Sequence, residues 1–227
     1  MNTIDRHPDY CGIYRQVKAK FDSTEHFYHG PYDETYYSMR VYETAKEIIS
    51  LLRPKKVKVQ QVLVAAICHD LGKTRLNARK MFGRDRLLAT IGEEWKRHAA
   101  LGVPLARQIL EKSGHSRQFI DEVCYLIGQH DLRGAKLKER SLELAILQDA
   151  DLISDIGLAG FLRPFLHSGK FRRSIADSIR YIKTEDRTGD GGLINLAVSK
   201  RLAKREMGIQ KALAKEAARE IDSELLK

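Results

Sequence analysis

The chain has 227 residues, of which 43% are hydrophobic and 31% are charged. These fractions are close to those of globular proteins, so they exclude a wholly disordered chain. Lys and Arg number 40 against 30 Asp and Glu, and the net charge of +10 favours anionic partners such as phosphorylated molecules or nucleic acid. Solvated helix faces would account for the same excess, so the charge alone does not identify a partner.

Helical periodicity dominates the first third of the chain, and no stretch shows a convincing run of alternating strands. Asp33 is a candidate N-cap for a helix that starts at Glu34 and ends at Pro54. A second helix is predicted from about Val59 to near Gly72, which would terminate it.

The middle of the chain continues in the same helical pattern. A third helix is predicted over residues 92–112, with a kink or a short break at Pro104. A fourth starts at Gly114 or Ser116, and a fifth starts near Ser141.

Two shorter helices, over residues 158–166 and 171–183, precede a long C-terminal helix that starts near Leu193. The sequence therefore predicts an all-α fold. We expect one helical domain over residues 1–190 and a C-terminal helical extension over residues 191–227 that packs on it.

Cysteine usage and hydropathy predict where the protein resides. Cys11, Cys68 and Cys124 are widely spaced and form no CxxC motif, which indicates a reducing compartment. The N-terminus has no apolar segment of the secretory type, and the apolar run over residues 62–68 is too short to cross a bilayer. We expect a soluble cytoplasmic protein without a membrane partner.

Imidazole and carboxylate groups interrupt several apolar helical segments. A carboxylate that faces a core is costly unless it is paired or bound to a metal, so such groups on different helices indicate that they converge. Together they suit Mn, Fe, Co, Ni or Zn, and a carboxylate-rich site also accepts Mg. The residues concerned are His69, Asp70, His98, His130, Asp149 and Asp151.

Each of these residues also has an ordinary structural interpretation. His98 alone would be a surface or capped histidine, and His130 alone would be a histidine favoured by the dipole at a helix C-terminus. Asp149 alone would be an N-cap or a buried hydrogen-bonding group. Only the set as a whole, with His69 and Asp70 adjacent at a helix end, favours a functional site.

With these motifs in view, the sequence resembles the HD-domain superfamily of metal-dependent phosphohydrolases over residues 33–157. His69 and Asp70, in the context HDLGK, match the adjacent pair that names the family. The resemblance implies an HD-type helical bundle and one or two divalent metal ions.

Three further positions match the family pattern. His98 in HAALG and His130 in LIGQH correspond to the two intermediate histidines. Asp151 corresponds to the final aspartate, with Asp149 as the alternative.

One position departs from the family pattern. The family's first histidine lies three residues before an arginine, and here Tyr37 stands at that position before Arg40. A neutral phenol is a much poorer ligand for divalent metals than an imidazole. Glu34, His26, His29 or a water molecule are candidates to replace the missing ligand, and Tyr37 is otherwise expected to line the pocket.

The resemblance implies that the protein hydrolyses a phosphomonoester or phosphodiester bond in a nucleotide. The attacking group would be a water molecule that the metal activates. Asp70 would be the central ligand and a catalytic residue, bridging two metal ions if both bind. His69 and Asp151 would share the first metal ion. His98 and His130 would bind a second metal ion or hydrogen-bond the phosphate.

Basic residues close to these motifs are candidates for substrate contacts. Lys73 follows HDLG and could contact the phosphate and offset charge in the transition state, which makes it a second catalytic candidate. Arg75 begins a basic stretch that continues to Arg86, and Arg133 begins another that continues to Lys138. Both stretches would form an electropositive rim, or would simply be solvated.

Two other functions remain open from the sequence. The first is a catalytically weak HD domain that binds a nucleotide or nucleic acid as a regulator, and Tyr37 and the net charge motivate it. The second is a structural helical module whose basic C-terminal helix docks on a partner or on another copy of the chain. The substrate, the metal and the oligomeric state are not specified by any motif in the sequence.

Overall fold

A computed structural model describes residues 7–24, 34–54, 56–76, 94–133, 140–170, 174–184 and 192–221. Within these ranges the chain forms nine α-helices, two short 3₁₀ turns and no strand, which confirms the all-α prediction. The 3₁₀ turns are Leu71–Arg75 and Trp95–Arg97. The helices are α1 Tyr10–Asp22, α2 Glu34–Leu52, α3 Val59–Cys68, α4 His98–Lys112, α5 Arg117–Gln129, α6 Leu142–Ser154, α7 Gly157–Lys170, α8 Ile175–Thr184 and α9 Ala197–Ile221.

Serine side chains begin two of the helices that carry site residues. Ser116 caps α5 by accepting a hydrogen bond from the backbone N–H of Phe119, and Ser141 caps α6 in the same way from Leu144. Each cap satisfies a donor that the first turn of a helix leaves unpaired and is worth about 1 kcal/mol. Of the two starts that the sequence left open for α5, the structure selects Ser116.

Several helix boundaries differ from the predictions. Helix α1 was not predicted, and α7 extends beyond its predicted bounds. Helix α8 begins at Ile175 rather than Phe171 and ends one residue later than predicted, and α9 begins at Ala197. Helix α4 continues through Pro104 without a break. The carbonyl that loses its partner there belongs to Ala100, which is exposed and can be hydrated. The predicted N-cap Asp33 lies outside the described residues.

The prediction that α3 continues to Gly72 is wrong, because α3 ends at Cys68 and the chain turns there into the first 3₁₀ turn. A Cβ atom at Gly72 would lie 1.8 Å from the carbonyl oxygen of His98 and 2.5 Å from the backbone nitrogen of Gly102. Gly72 is therefore needed for close backbone approach, not for helix termination. This approach brings the chain after α3 against the start of α4.

Helix α3 forms the centre of the core. Its residues from Val62 to Cys68 are all buried, and it packs against α1, α2, α5 and α6. Burial of each large aliphatic side chain contributes about 1.5–3 kcal/mol. Because α3 is surrounded, the two polar residues that follow it, His69 and Asp70, are delivered into the interior.

Helix α9 packs on α2, α6, α7 and α8. Its start is fastened by Asp149 of α6, which accepts hydrogen bonds from the backbone N–H groups of Asn195 at 2.8 Å and Leu196 at 2.9 Å. None of the helices in the described ranges is both long enough and apolar enough to cross a membrane.

Candidate metal centre

Three buried histidines share one local geometry. In each, Nδ1 lies 2.7–2.8 Å from the backbone carbonyl oxygen of the residue three positions earlier. A carbonyl only accepts hydrogen bonds, so each Nδ1 carries a proton, and in the neutral ring Nε2 presents a lone pair. This tautomer is the one that metal-ligating histidines adopt when a backbone carbonyl orients them. The three are His69, His98 and His130.

The Nε2 atoms of His98 and His130 lie 3.1 Å apart. Two lone pairs that face each other at this distance repel unless a proton or a metal ion lies between them. Two nitrogen ligands at about 2.0–2.1 Å from one metal ion are separated by roughly 2.9–3.4 Å at octahedral or tetrahedral angles. The observed separation fits such a pair of ligands.

Asp70 lies at the centre of the histidines. Its Oδ2 is 3.1 Å from Nε2 of His69, and its Oδ1 is 3.5 Å from Nε2 of His98 and 4.0 Å from Nε2 of His130. The ligand atoms of His69, Asp70 and His130 all lie within 4.8 Å of one another. A single carboxylate can thus reach all three imidazoles.

Asp151 approaches the same cluster from α6. Its Oδ1 lies 3.4 Å from Nε2 of His69. That Nε2 atom is buried and makes no well-directed hydrogen bond, although it is within contact distance of two carboxylates. A buried nitrogen left without a hydrogen bond is costly, and a bound metal ion would satisfy it. The donor set therefore fits a divalent metal.

Tyr37 of α2 closes one side of the cluster and is 5% exposed. Its hydroxyl lies 2.7 Å from Oδ1 of Asp151 and 2.7 Å from the backbone oxygen of the same residue. Burial and the charge of Asp151 raise the pKa of Tyr37 well above its usual range. Of the candidate replacements for the missing histidine, His26, His29 and the Glu34 side chain lie outside the described part of the chain.

Lys73 is buried beside the cluster. Its Nζ lies 2.6 Å from Oδ2 of Asp70 and 4.7 Å from the centre of the Trp95 ring. The first 3₁₀ turn produces this contact, because it places Lys73 three residues after Asp70 and on the same side. The ammonium group is thus part of the interior.

The two arginines predicted to bind substrate occupy different places. Nη2 of Arg133 donates to the backbone oxygen of Gln148 at 3.2 Å and lies 3.3 Å from Oδ2 of Asp151, so this guanidinium adjoins the cluster. Arg75 is exposed at the end of the first 3₁₀ turn. The stretches that follow them, residues 77–93 and 134–139, lie outside the described residues.

Arg163 also adjoins the site and was not predicted from the sequence. Its Cζ lies 4.3 Å from the centre of the Tyr37 ring, and its Nη1 donates to Asp155 at 2.9 Å. It lies on α7, beyond the region of the family motifs, and only the packing of α7 against the site reveals it. Trp95 was also missed, because only the fold brings its ring beside Lys73.

Burial and charges within the cluster shift the pKa values of its members in different directions. Burial alone would lower the pKa of His69, but the carboxylates of Asp70 and Asp151 raise it to about 10. Burial, together with the charges of the neighbouring His69 and His98, lowers the pKa of His130 to about 3. Although burial opposes it, His69 and Lys73 hold the pKa of Asp70 well below its usual range.

Asp149 is turned away from the cluster. Both of its carboxylate oxygens accept hydrogen bonds from the chain that leads into α9. Burial raises its pKa, and these hydrogen bonds oppose the shift. The ordinary interpretation, a buried hydrogen-bonding group, describes Asp149.

Comparison with known proteins identifies a matching family and solved structures with a similar fold. The model of the HD domain matches residues 36–155 of this chain. A predicted HD superfamily hydrolase from an uncultured Thermotogales bacterium is 22% identical, with a TM-score of 0.58, over 94% of this chain and 93% of that chain. An HD-superfamily hydrolase from Bacillus thuringiensis is 15% identical, with a TM-score of 0.61, over 95% of this chain and 97% of that chain.

YpgQ of Bacillus subtilis, in a structure in complex with ADP, is 19% identical to this chain and has a TM-score of 0.64. The match covers 95% of this chain and 99% of that chain. No curated protein matches significantly. At these identities the solved structures establish a shared fold and no more.

Proposed function

Since the chain belongs to the HD-domain family, we propose that it is a metal-dependent phosphohydrolase that acts on a phosphomonoester or phosphodiester of a nucleotide. The observation that carries the proposal is the 3.1 Å separation of the Nε2 atoms of His98 and His130, whose lone pairs face each other in the interior. This arrangement is unfavourable without a cation and favourable with one.

The proposed ligands are the three histidines and two carboxylates of the cluster. When bound, a divalent ion such as Mn, Fe, Co, Ni, Zn or Mg supplies Lewis-acid chemistry and lowers the pKa of a water molecule. Asp70 is the central ligand, because it alone is within reach of every imidazole. The ligands are His69, Asp70, His98, His130 and Asp151.

Three cationic side chains are candidates to contact the phosphate and offset its negative charge. Lys73 is the catalytic candidate, because its ammonium group lies at the Asp70 carboxylate and could offset the charge of a phosphoryl group bound beside it. Arg133 is the candidate for orienting a phosphate oxygen, since its guanidinium adjoins Asp151. Arg75, exposed at the end of the turn that carries Lys73, would act at the entrance.

Nucleotide substrates are favoured by two observations. The net charge of +10 attracts polyanions over nonpolar substrates. A protein of the same fold, YpgQ, has been crystallised with ADP. A second function, nucleotide binding without turnover, is favoured by Tyr37, because the family's first histidine is missing there.

The decisive experiment measures metal content by mass spectrometry in the wild-type protein and in His130→Ala, with His7→Ala as the matched control. His7 is exposed and lies outside the cluster. We expect at least one ion per chain in the wild type and in His7→Ala, and little in His130→Ala. A wild-type protein that stays metal-free after incubation with Mn²⁺ would refute the metal site.

The activity itself is tested with the metal-loaded protein on nucleoside mono-, di- and triphosphates and on cyclic nucleotides, with products separated by chromatography. Turnover that disappears in Asp70→Asn supports hydrolysis. Tight, salt-dependent nucleotide binding without turnover would support the regulatory alternative.

A further inference from the structure

We propose that Tyr37 is a positioning residue that holds the Asp151 carboxylate by a hydrogen bond and does not itself bind the metal. The inference rests on the proposed metal centre and specifies how this chain manages without the family's first histidine. It is carried by the contacts between α2 and α6.

The hydroxyl of Tyr37 has two neighbours at 2.7 Å, the backbone oxygen and Oδ1 of Asp151. Both of these oxygens are acceptors. The phenol must therefore keep its proton and donate it. A phenolate ligand at the same place would face two acceptor oxygens with no proton to share.

The tyrosine ring is held where it lies. It is 5% exposed, and the guanidinium carbon of Arg163 is 4.3 Å from its centre. A phenol is also longer than an imidazole, and here the hydroxyl reaches the backbone of α6. Tyr37 thus spans from α2 to Asp151 and fills the space that separates the two helices.

The same contacts leave Asp151 oriented toward the cluster. Oδ1 accepts from Tyr37, while Oδ2 lies 3.3 Å from Nη2 of Arg133. A carboxylate oxygen has a second lone pair, and Oδ1 is 3.4 Å from the unsatisfied Nε2 of His69. Ligating carboxylates are commonly held by hydrogen bonds of this kind, and loss of such a partner typically weakens metal affinity about 10–100-fold.

The test is a calorimetric titration of Mn²⁺ into metal-free wild-type protein, Tyr37→Phe and Tyr37→His. Tyr125→Phe is the matched control, since Tyr125 is 50% exposed. We expect Tyr37→Phe to bind the same number of ions with an affinity about 10–100-fold lower. Tyr37→His should bind at least as tightly as the wild type, because it restores an imidazole. Tyr125→Phe should match the wild type.

A spectroscopic measurement separates positioning from ligation. Phenolate bound to Fe³⁺ produces a visible charge-transfer band, so the Fe³⁺-loaded wild type should show none. A band that disappears in Tyr37→Phe would overturn the inference, because Tyr37 would then be a ligand. If Tyr37→Phe does not fold, as judged by circular dichroism, the wild-type spectrum decides alone.

The remaining outcomes are equally decisive. Equal affinity of Tyr37→Phe and the wild type would overturn the inference and leave the metal centre intact. A wild type that binds no metal ion would overturn the proposed function, and the inference with it. The ratio of affinities thus tests Tyr37, and the wild-type value tests the site.

Discussion

Nε2 of His98 and Nε2 of His130 face each other at 3.1 Å, and backbone carbonyls hold a proton on Nδ1 of each ring, so both Nε2 atoms are lone-pair donors in the neutral rings. His98 begins α4 and is held by the carbonyl of Trp95 in the turn before it, whereas His130 follows α5 and is held by the carbonyl of Ile127 near the end of that helix. The fold therefore maintains a local electrostatic cost in the absence of a cation. Sites of this kind are pre-organised for a ligand, because the rigid elements around them bear that cost.

Metal removal should lower the thermal stability of the protein. A ligand that binds only the folded state, at a hundred times its Kd, stabilises by about 2.7 kcal/mol. For a chain of this size that corresponds to a fall in Tm of roughly 5–10 °C when the metal is chelated. Differential scanning calorimetry with and without EDTA measures this fall in Tm. His98→Gln should abolish the difference, and a difference that persists in this variant would contradict the assignment of His98.

Gly72→Ala should be severely destabilising. The added Cβ would lie 1.8 Å from the carbonyl oxygen of His98, and backbone atoms on both sides prevent easy relaxation. We expect a loss of more than about 3 kcal/mol in the free energy of unfolding, measured with urea.

Gly208→Ala is the matched control, because a Cβ there meets nothing within 4 Å. It lies inside α9, where alanine stabilises a helix by roughly 0.5–1 kcal/mol relative to glycine. Equal stability of the two variants would show that the close approach at Gly72 is unimportant.

Asp149→Ala and Asp151→Ala should affect different properties of the protein, stability in the first case and metal binding in the second. Asp149 is buried and accepts hydrogen bonds from the backbone N–H groups of Asn195 and Leu196. Its removal should therefore lower the free energy of unfolding by about 2–4 kcal/mol, while metal binding persists. Asp151→Ala should instead weaken metal binding, because it removes a proposed ligand. Urea unfolding and metal titration of both variants distinguish the two roles, and the reverse pattern would exchange the assignments.

Glu122 should contribute stability that disappears in acid. Burial alone would raise its pKa, but hydrogen bonds from Lys58, Gln118 and Gln61 lower it below the ordinary value of 4.5. Its folded-state pKa thus lies below its unfolded-state pKa. The contribution is therefore complete above pH 4.5 and is lost as the pH falls through the lower, folded-state value.

Because Lys58 is largely exposed, the effect of Glu122→Gln should be at most about 1 kcal/mol at pH 7. Urea unfolding at pH 7 and at pH 3 measures the difference between the wild type and the variant. The difference should shrink at pH 3. A constant difference across this range would show that the charge of Glu122 does not stabilise the fold.

Features that depend on neighbouring residues could be predicted from the sequence. Ser141 in front of an apolar run predicts a helix start, because a cap and a hydrophobic face are properties of neighbouring residues. The HDLGK motif and the spacing of the later histidines indicated the family for a similar reason, because a motif and its spacing are properties of the linear sequence. Boundaries that depend on packing, such as the end of α3, were not determined locally.

The partners of the site residues depend on how the helices pack, so they could not be predicted from the sequence. Asp149 and Asp151 lie two positions apart on α6, so about 200° of rotation separates them and they cannot face the same neighbour. The sequence contained that constraint but not the direction of the cluster. Tyr37 and Asp151 are 114 residues apart, and their hydrogen bond exists only because α2 packs against α6.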